Sequence, residues 1–171
     1  QEYFAILSAQ FVGLRNYVAV FTDRLMREAF RNNILFWILI ATPLTVVTGL
    51  LIAVLADRSG FERTAKSIIF MPMAISFVGA GVIWNFVYEV KPVNVEQIGL
   101  LNAIVVALGG QPQAWPALTS ISPWNNLFLV VIVVWLQAGY AMVLFSAAIK
   151  GIPEELLEAA RVDGANEIQI F

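Results

Sequence analysis

The sequence predicts an all-α integral membrane protein with three transmembrane helices. Three observations carry that prediction. The apolar set makes up 60% of the 171 residues, against about 45–50% in a soluble domain even with Gly counted. Asp, Glu, Lys and Arg together make up 13%, where a soluble protein carries about 25%. Three stretches, 34–56, 67–88 and 124–149, contain no charged residue, and each reaches the ~20 helical residues that cross a hydrocarbon core.

Composition also excludes several kinds of chemistry. With no Cys there are no disulfides or thiolate metal sites. With no His the commonest general base and metal ligand are gone. No catalytic residue and no metal site is predicted. The net charge of −2 offers no basic excess for nucleic acid.

The lead-in, residues 1–33, begins with Gln1 rather than Met and lacks the basic start and apolar core of a signal peptide. Residues are therefore expected ahead of Gln1. The first span, 34–56, contains Pro43 and Gly49. Both are tolerated in membrane helices, where neighbours satisfy the freed backbone groups. "DRSGFER" at 57–63 reads as a short charged turn, so the first two spans are expected to form an antiparallel pair. The second span, 67–88, contains Pro72, Gly79 and Gly81, and Trp84 and Tyr88 lie near its end. Aromatic rings favour that headgroup level.

Residues 89–123 form a longer connection. Lys91, Pro92, Gly109, Gly110, Pro112, Pro116 and Pro123 punctuate it and preclude another long helix. The apolar piece at 98–108 is too short to span and reads as an interfacial or packed helix. Trp124 opens the third span, 124–149, which holds Gln137, Gly139 and Tyr140. An unsatisfied amide in lipid is expensive, so Gln137 is expected to face other helices or a water-filled path. Asn85 with Trp84, and Tyr140 near Gln137, offer the hydrogen bonds and flat rings that a sugar needs. These four are the candidate substrate-pathway residues. A plain interhelical hydrogen bond at Gln137, and interface anchoring by the rings, are the structural alternatives.

Three spans place 57–66 and the segment after Lys150 on one side, with 1–33 and 89–123 on the other. Arg58, Arg63, Lys66, Lys150 and Arg161 face Arg15, Arg24, Arg27, Arg31 and Lys91 across the membrane. That even split assigns no orientation by the positive-inside rule.

The chain closes on "EELLEAARVDGANEIQIF", residues 154–171. Pro153 suits the first turn of a helix, and Glu154 and Glu155 complement its dipole. Ile152, Leu156, Ala159 and Ala160 make one apolar stripe, with Glu154, Glu158 and Arg161 off it. Asp163-Gly164 is a stop signal. Asn166-Glu167 starts a second short helix with Ile168 and Phe171 on one face. A slim helix of this kind fits a groove on a partner protein. The alternative is a helix lying on the membrane surface, but such helices are rich in Lys and Arg, and this one carries more Glu.

This segment resembles the EAA loop of the membrane subunits of binding-protein-dependent ABC importers. The family pattern, Glu-Ala-Ala, three residues, then Gly, is matched by Glu158, Ala159, Ala160 and Gly164. "GIPEEL" and "DGA" match the version found in sugar importers. "FVGLRNYVAVF" at 11–21 and "RTAKSIIFMPMAISFVGAGVIWNFVY" at 63–88 resemble other segments of the family in the same order.

The resemblance implies a partial MetI-like permease fold, with 57–66 and 151–171 cytoplasmic and 1–33 and 89–123 extracytoplasmic. It implies that Glu158, Ala159, Ala160 and Gly164 belong to coupling helices seated on ATP-hydrolysing subunits. Its further partners are a second permease subunit, an extracytoplasmic substrate-binding protein and the bilayer of a prokaryotic inner membrane, crossed several times. ATP and Mg²⁺ would sit on the partner ATPase, with no cofactor on this chain, which contains no G-x-x-x-x-G-K-[ST] phosphate loop. The implied cargo is a sugar, such as a maltose-like oligosaccharide or an α-glucoside. The family continues past Gly164 with an Ile-x-Leu-Pro element and more membrane helices, so an internal portion of a larger permease is expected. A secondary transporter or channel is the alternative. It would need ionisable residues inside the membrane, which the three spans lack.

Overall fold

The computed structural model describes residues 11–170. The start of the lead-in and the face assigned to Phe171 lie outside the described residues. All regular elements among those described are helical. The lead-in forms α1, Arg15–Thr22, and α2, Arg24–Asn32. Asp23 separates them and caps α2, its side chain accepting from the Met26 N–H at 3.0 Å.

From α2 the chain runs without a break into a π-helical stretch, Asn33–Ala41, and then α3, Thr42–Asp57. Together Arg24–Asp57 make a 34-residue helix, long and apolar enough to span. It starts ten residues ahead of the charge-free stretch, because Arg24, Arg27 and Arg31 are compatible with helix though not with hydrocarbon. The π-helical turns end just before Pro43. A proline ring clashes with the carbonyl four residues back and has no N–H to donate. Wider turns relieve both problems. The backbone N–H of Thr42 and its Oγ1 both donate to the Trp37 carbonyl, the latter at 2.9 Å.

The second apolar stretch departs from a straight helix. Helix α4, Glu62–Phe70, tightens into a 3₁₀ turn, Met71–Ala74, at Pro72. Ile75 and Ser76 are extended, and α5, Phe77–Tyr88, leaves with a bend of 103°. Ser76 makes this a new helix start, its Oγ accepting from the Gly79 N–H at 3.0 Å. The described residues thus hold two continuous helices long and apolar enough to cross a membrane, Arg24–Asp57 and Trp124–Lys150, and a third only if the bent pair counts as one.

The connection contains α6, Leu100–Ala107, within the expected apolar piece. It is tied down by Asn102, which is fully buried. Its Nδ2 donates to the carbonyls of Glu89 and Gln113 at 2.8 and 3.0 Å. Its Oδ1 accepts from Gln113 N and Trp115 Nε1, both at 2.9 Å. An amide has two donors and two acceptor lone pairs, so this one is saturated.

The third span is α7, Leu127–Lys150, entered through a 3₁₀ turn at Trp124–Asn126. Helices α3 and α7 run parallel. Phe36, in the π-helical stretch leading into α3, meets Trp124 edge to face at 5.9 Å, and Phe36, Ala41 and Val130 form a buried cluster. Further along, Gly49, Ala53 and Ala56 of α3 are buried, as are Ala138, Gly139, Met142 and Ser146 of α7. Small residues let the backbones touch. A Cβ on Gly49 would lie 2.4 Å from the Ala141 Cβ, and one on Gly139 would lie 2.5 Å from the Ile69 carbonyl oxygen of α4. Outward faces stay greasy, with Leu55, Phe77 and Val78 mostly exposed, as lipid or further helices require.

Two outcomes are expected. Gly139→Val forces α4 away from α7 and lowers stability by about 1–3 kcal/mol, read as a drop in thermal midpoint in detergent. Asn102→Leu strands several buried polar groups, each worth about 1–3 kcal/mol. Limited proteolysis should then cut within 89–123 well before the helices, where the native chain resists.

Candidate functional site: the closing segment and the polar cluster at its base

The closing segment folds as helix, turn, helix. Gly151 accepts the end of α7, its N–H donating to the carbonyls of Ala147 and Ala148 at 3.0 and 3.2 Å. Pro153 then precedes α8, Glu154–Val162, which has Glu154 and Glu155 in its first turn and Arg161 in its last. Both placements suit the helix dipole.

The end of α8 is a Schellman motif. Ala165 N donates to the Ala160 carbonyl at 3.0 Å and Gly164 N to the Arg161 carbonyl at 3.1 Å. Gly164 sits at φ +85°, a conformation in which a Cβ is strained. Asn166 and Gln169 then form a capping box that opens α9, Glu167–Ile170. Asn166 N donates to the Gln169 side chain at 2.8 Å, and Gln169 N donates to the Asn166 side chain at 3.0 Å.

Glu158 and Ala159 are exposed, whereas Ala160 is half-buried. The four-residue stripe read from the sequence is therefore divided. Leu156 and Ala159 point away from the bundle, and Leu157, absent from that stripe, is half-buried. Leu157 lines a crevice with Val54, Asp57, Arg58, Ile149, Lys150, Ile152 and Glu154. Periodicity alone does not say which side of a short helix meets its own chain.

Beneath α8 lies a polar cluster that sequence reading did not identify. Asp57 ends α3, Glu62 and Lys66 lie on the first turns of α4, and Ser146 and Lys150 on the last turns of α7. Lys66 Nζ lies 2.5 Å from Asp57 Oδ1 and 2.6 Å from Glu62 Oε1, and also donates to Ser146 Oγ. Ser146 Oγ donates to Asp57 Oδ1 at 2.8 Å. Lys150 Nζ donates to Glu62 and lies 3.7 Å from Asp57 Oδ1. Only 11% of the Asp57 side chain is exposed, so its charge depends on these partners. The sequence signals were faint: an i, i+4 pair at Glu62 and Lys66, and a hydroxyl one turn before Lys150.

Hydrogen bonds from Lys150 and then Lys66 hold the Glu62 carboxyl below the usual range. At Asp57 burial pushes the carboxyl up, but Lys66 and Ser146, with the charge of Lys150, outweigh it and lower it overall.

The four pathway candidates are spread over two helices. Trp84 and Asn85 are on α5, Gln137 and Tyr140 on α7. Asn85 and Tyr140 are exposed and Gln137 is half-buried. Trp84 packs against Tyr88 at 5.2 Å and against Trp135 of α7 at 5.7 Å. Its indole N–H is buried without a hydrogen-bond partner among the described residues. Tyr88 reaches across instead, donating to the Phe128 carbonyl at 2.9 Å. Trp135 is the ring that the sequence reading missed, since one aromatic in an apolar run carries no positional signal.

Parallel apolar helices, a broken helix and a capped helix-turn-helix at the foot of the last one define an all-helical membrane-protein fold. The fold is shared with a chain of a bacterial ABC transporter involved in the import of the acidic polysaccharide alginate, with a TM-score of 0.75 at 19% identity, covering 98% of this chain and 58% of that one. The chain belongs to the family described as the binding-protein-dependent transport system inner membrane component, whose model matches residues 17–171. It is 57% identical over 164 residues to the osmoprotective compounds uptake permease protein GgtC of Synechocystis sp., covering 96% of this chain and 57% of that protein. It is 56% identical over 161 residues to the alpha-glucoside transport system permease protein AglF of Rhizobium meliloti, covering 94% of this chain and 47% of that protein. The chain thus spans about half the length of the curated relatives it matches.

The lowered carboxyls set the sign of an acid response. A carboxylate with a depressed folded value stabilises the fold above its unfolded value and loses that contribution as pH falls through the folded one. The cluster should therefore hold at pH 7 and weaken below the ordinary values of 4.5 for Glu62 and 3.8 for Asp57. The thermal-midpoint gap between the native chain and an Asp57→Asn, Glu62→Gln variant in detergent should be widest near neutrality and shrink below those values.

Proposed function

We propose that this chain is part of the permease subunit of an ATP-driven importer and lines the path of a sugar delivered by an extracytoplasmic binding protein. The observation that carries the reading is the closing segment. Glu158, Ala159, Ala160 and Gly164 keep the EAA spacing on a helix that exposes Glu158 and Ala159 and ends at a glycine with φ +85°. An exposed slim face directly after a span is suited to a groove on a rigid partner. In this reading the partner hydrolyses ATP, holding the nucleotide and Mg²⁺ itself, and its closure pushes α7 through α8.

The same reading puts 57–66 and 151–171 in the cytoplasm, and 1–33 and 89–123 outside, on the multi-pass subunit of a prokaryotic inner membrane. The saturated Asn102 knot gives the outer connection the rigidity that a docking binding protein needs. A second permease subunit covers greasy faces such as those of α3 and α5. Similarity to AglF favours an α-glucoside or a related oligosaccharide as cargo, and similarity to GgtC favours an osmoprotective compound. Trp84, Asn85, Gln137 and Tyr140 are candidates for the path, the indole N–H of Trp84, without a partner among the described residues, being suited to a sugar hydroxyl.

The test uses the full-length protein with its neighbours. Gly164→Val places a β-branched residue at positive φ, a strain of about 1–2 kcal/mol. That should weaken ATPase docking by about tenfold and depress ATP-dependent uptake in proteoliposomes. Failure of any ATPase to co-purify with the native protein, or unchanged docking and uptake in the variant, would sink the reading.

A further inference from the structure

The polar cluster joins the α3–α4 turn to the foot of α7, which sequence keeps far apart, and it sits where the proposed push enters the membrane domain. Asp57 ends α3, Glu62 and Lys66 start α4, and Ser146 and Lys150 end α7. Lys150 is followed by Gly151, Ile152 and Pro153 and then by α8 itself. On the α3 side the buried residues of this packing are small, Gly49, Ala53 and Ala56, while α7 contributes the fully buried Met142. Such a seam sets the spacing of the two helices, but none of its contacts is directional. Directional contacts supply what the seam lacks: Lys66 bonds Asp57, Glu62 and Ser146, and Lys150 bonds Glu62.

We propose that the Asp57, Glu62, Lys66, Ser146 and Lys150 cluster is a positioning joint that makes the α3–α4 turn and the foot of α7 move as one body with the coupling segment. The inference rests on the importer reading. Its residues touch neither substrate nor nucleotide. They act by turning a push on α8 into displacement of three helices rather than one. Loss of the joint leaves ATP hydrolysis running while less of each stroke reaches the pathway.

A joint of this kind is tested by breaking it and remaking it with a different bond. In the full-length permease, assembled with its ATPase, second subunit and binding protein in an otherwise cysteine-free complex, Glu62 and Lys150 are both replaced by Cys. Before linking, sugar taken up per ATP hydrolysed should fall at least about fivefold, the lower range of coupling between sites, with ATP hydrolysis reduced far less. A short bifunctional thiol reagent should then restore the ratio, and Ser146→Ala should reproduce a milder loss without new charge. A merely structural role would lower uptake and hydrolysis together and leave their ratio unchanged. The joint is overturned by an unchanged ratio before linking, by a tether that fails to restore it, or by a tether that stops uptake until it is reduced. A native complex without ATP-dependent uptake speaks against the importer reading itself, whereas a working native complex with an indifferent variant speaks against the joint alone.

Discussion

Everything else in this structure depends on the close parallel approach of α3 and α7. Two helices can touch backbone to backbone only where neither presents bulk, and at Gly49 of α3 a Cβ would strike Ala141 and the Met142 backbone of α7. Gly139 also admits α4, whose Ile69 carbonyl occupies the space a Cβ would take. Without hydrophobic driving force between helices in lipid, that contact must come from packing and from polar bonds at the ends. The seam provides the first and the cluster around Lys66 the second.

A chain built this way has a sharp division between rigid and compliant parts. The two long helices are locked by the seam. Helix α5 turns away by 103° after Ile75 and Ser76, where two extended residues replace a turn of helix. The closing segment is independent in another sense. Its internal hydrogen bonds are complete at Gly164 and Asn166, while Leu156 and Val162 remain exposed. Such a segment keeps its shape through its own hydrogen bonds, which is what force transmission requires in the proposed importer.

Much of the fold was legible in the residues, for local reasons. Hydropathy located all three apolar stretches, but the antiparallel pairing of the first two expected from the charged turn at 57–63 is not the main packing, since α3 lies along α7 instead. Asp163-Gly164 was legible because only a residue without a Cβ rests easily at positive φ, and Asn166 because its side chain can close a helix start by itself. The break at Ser76 was less legible. A capping serine in an apolar run has the same hydropathy whether it caps a helix or lies inside one. Leu156 and Ala159 share a period with Ala160 but are exposed, while Leu157 is half-buried, because the partner of a short helix is not encoded in its own period.

By itself the sequence determined the membrane class, the number of apolar stretches, and the turn and caps of the closing segment, since each depends on residues within a few positions of one another. Only the tertiary structure decided which helices run parallel, where the second stretch breaks direction, and that a polar cluster lies at the base. The physical reason is distance along the chain. Ser146 meets Lys66 and Asp57 across 80 and 89 residues, and Lys150 meets Glu62 across 88. No local pattern encodes such a meeting, and the packing of α3, α4 and α7 brings it about.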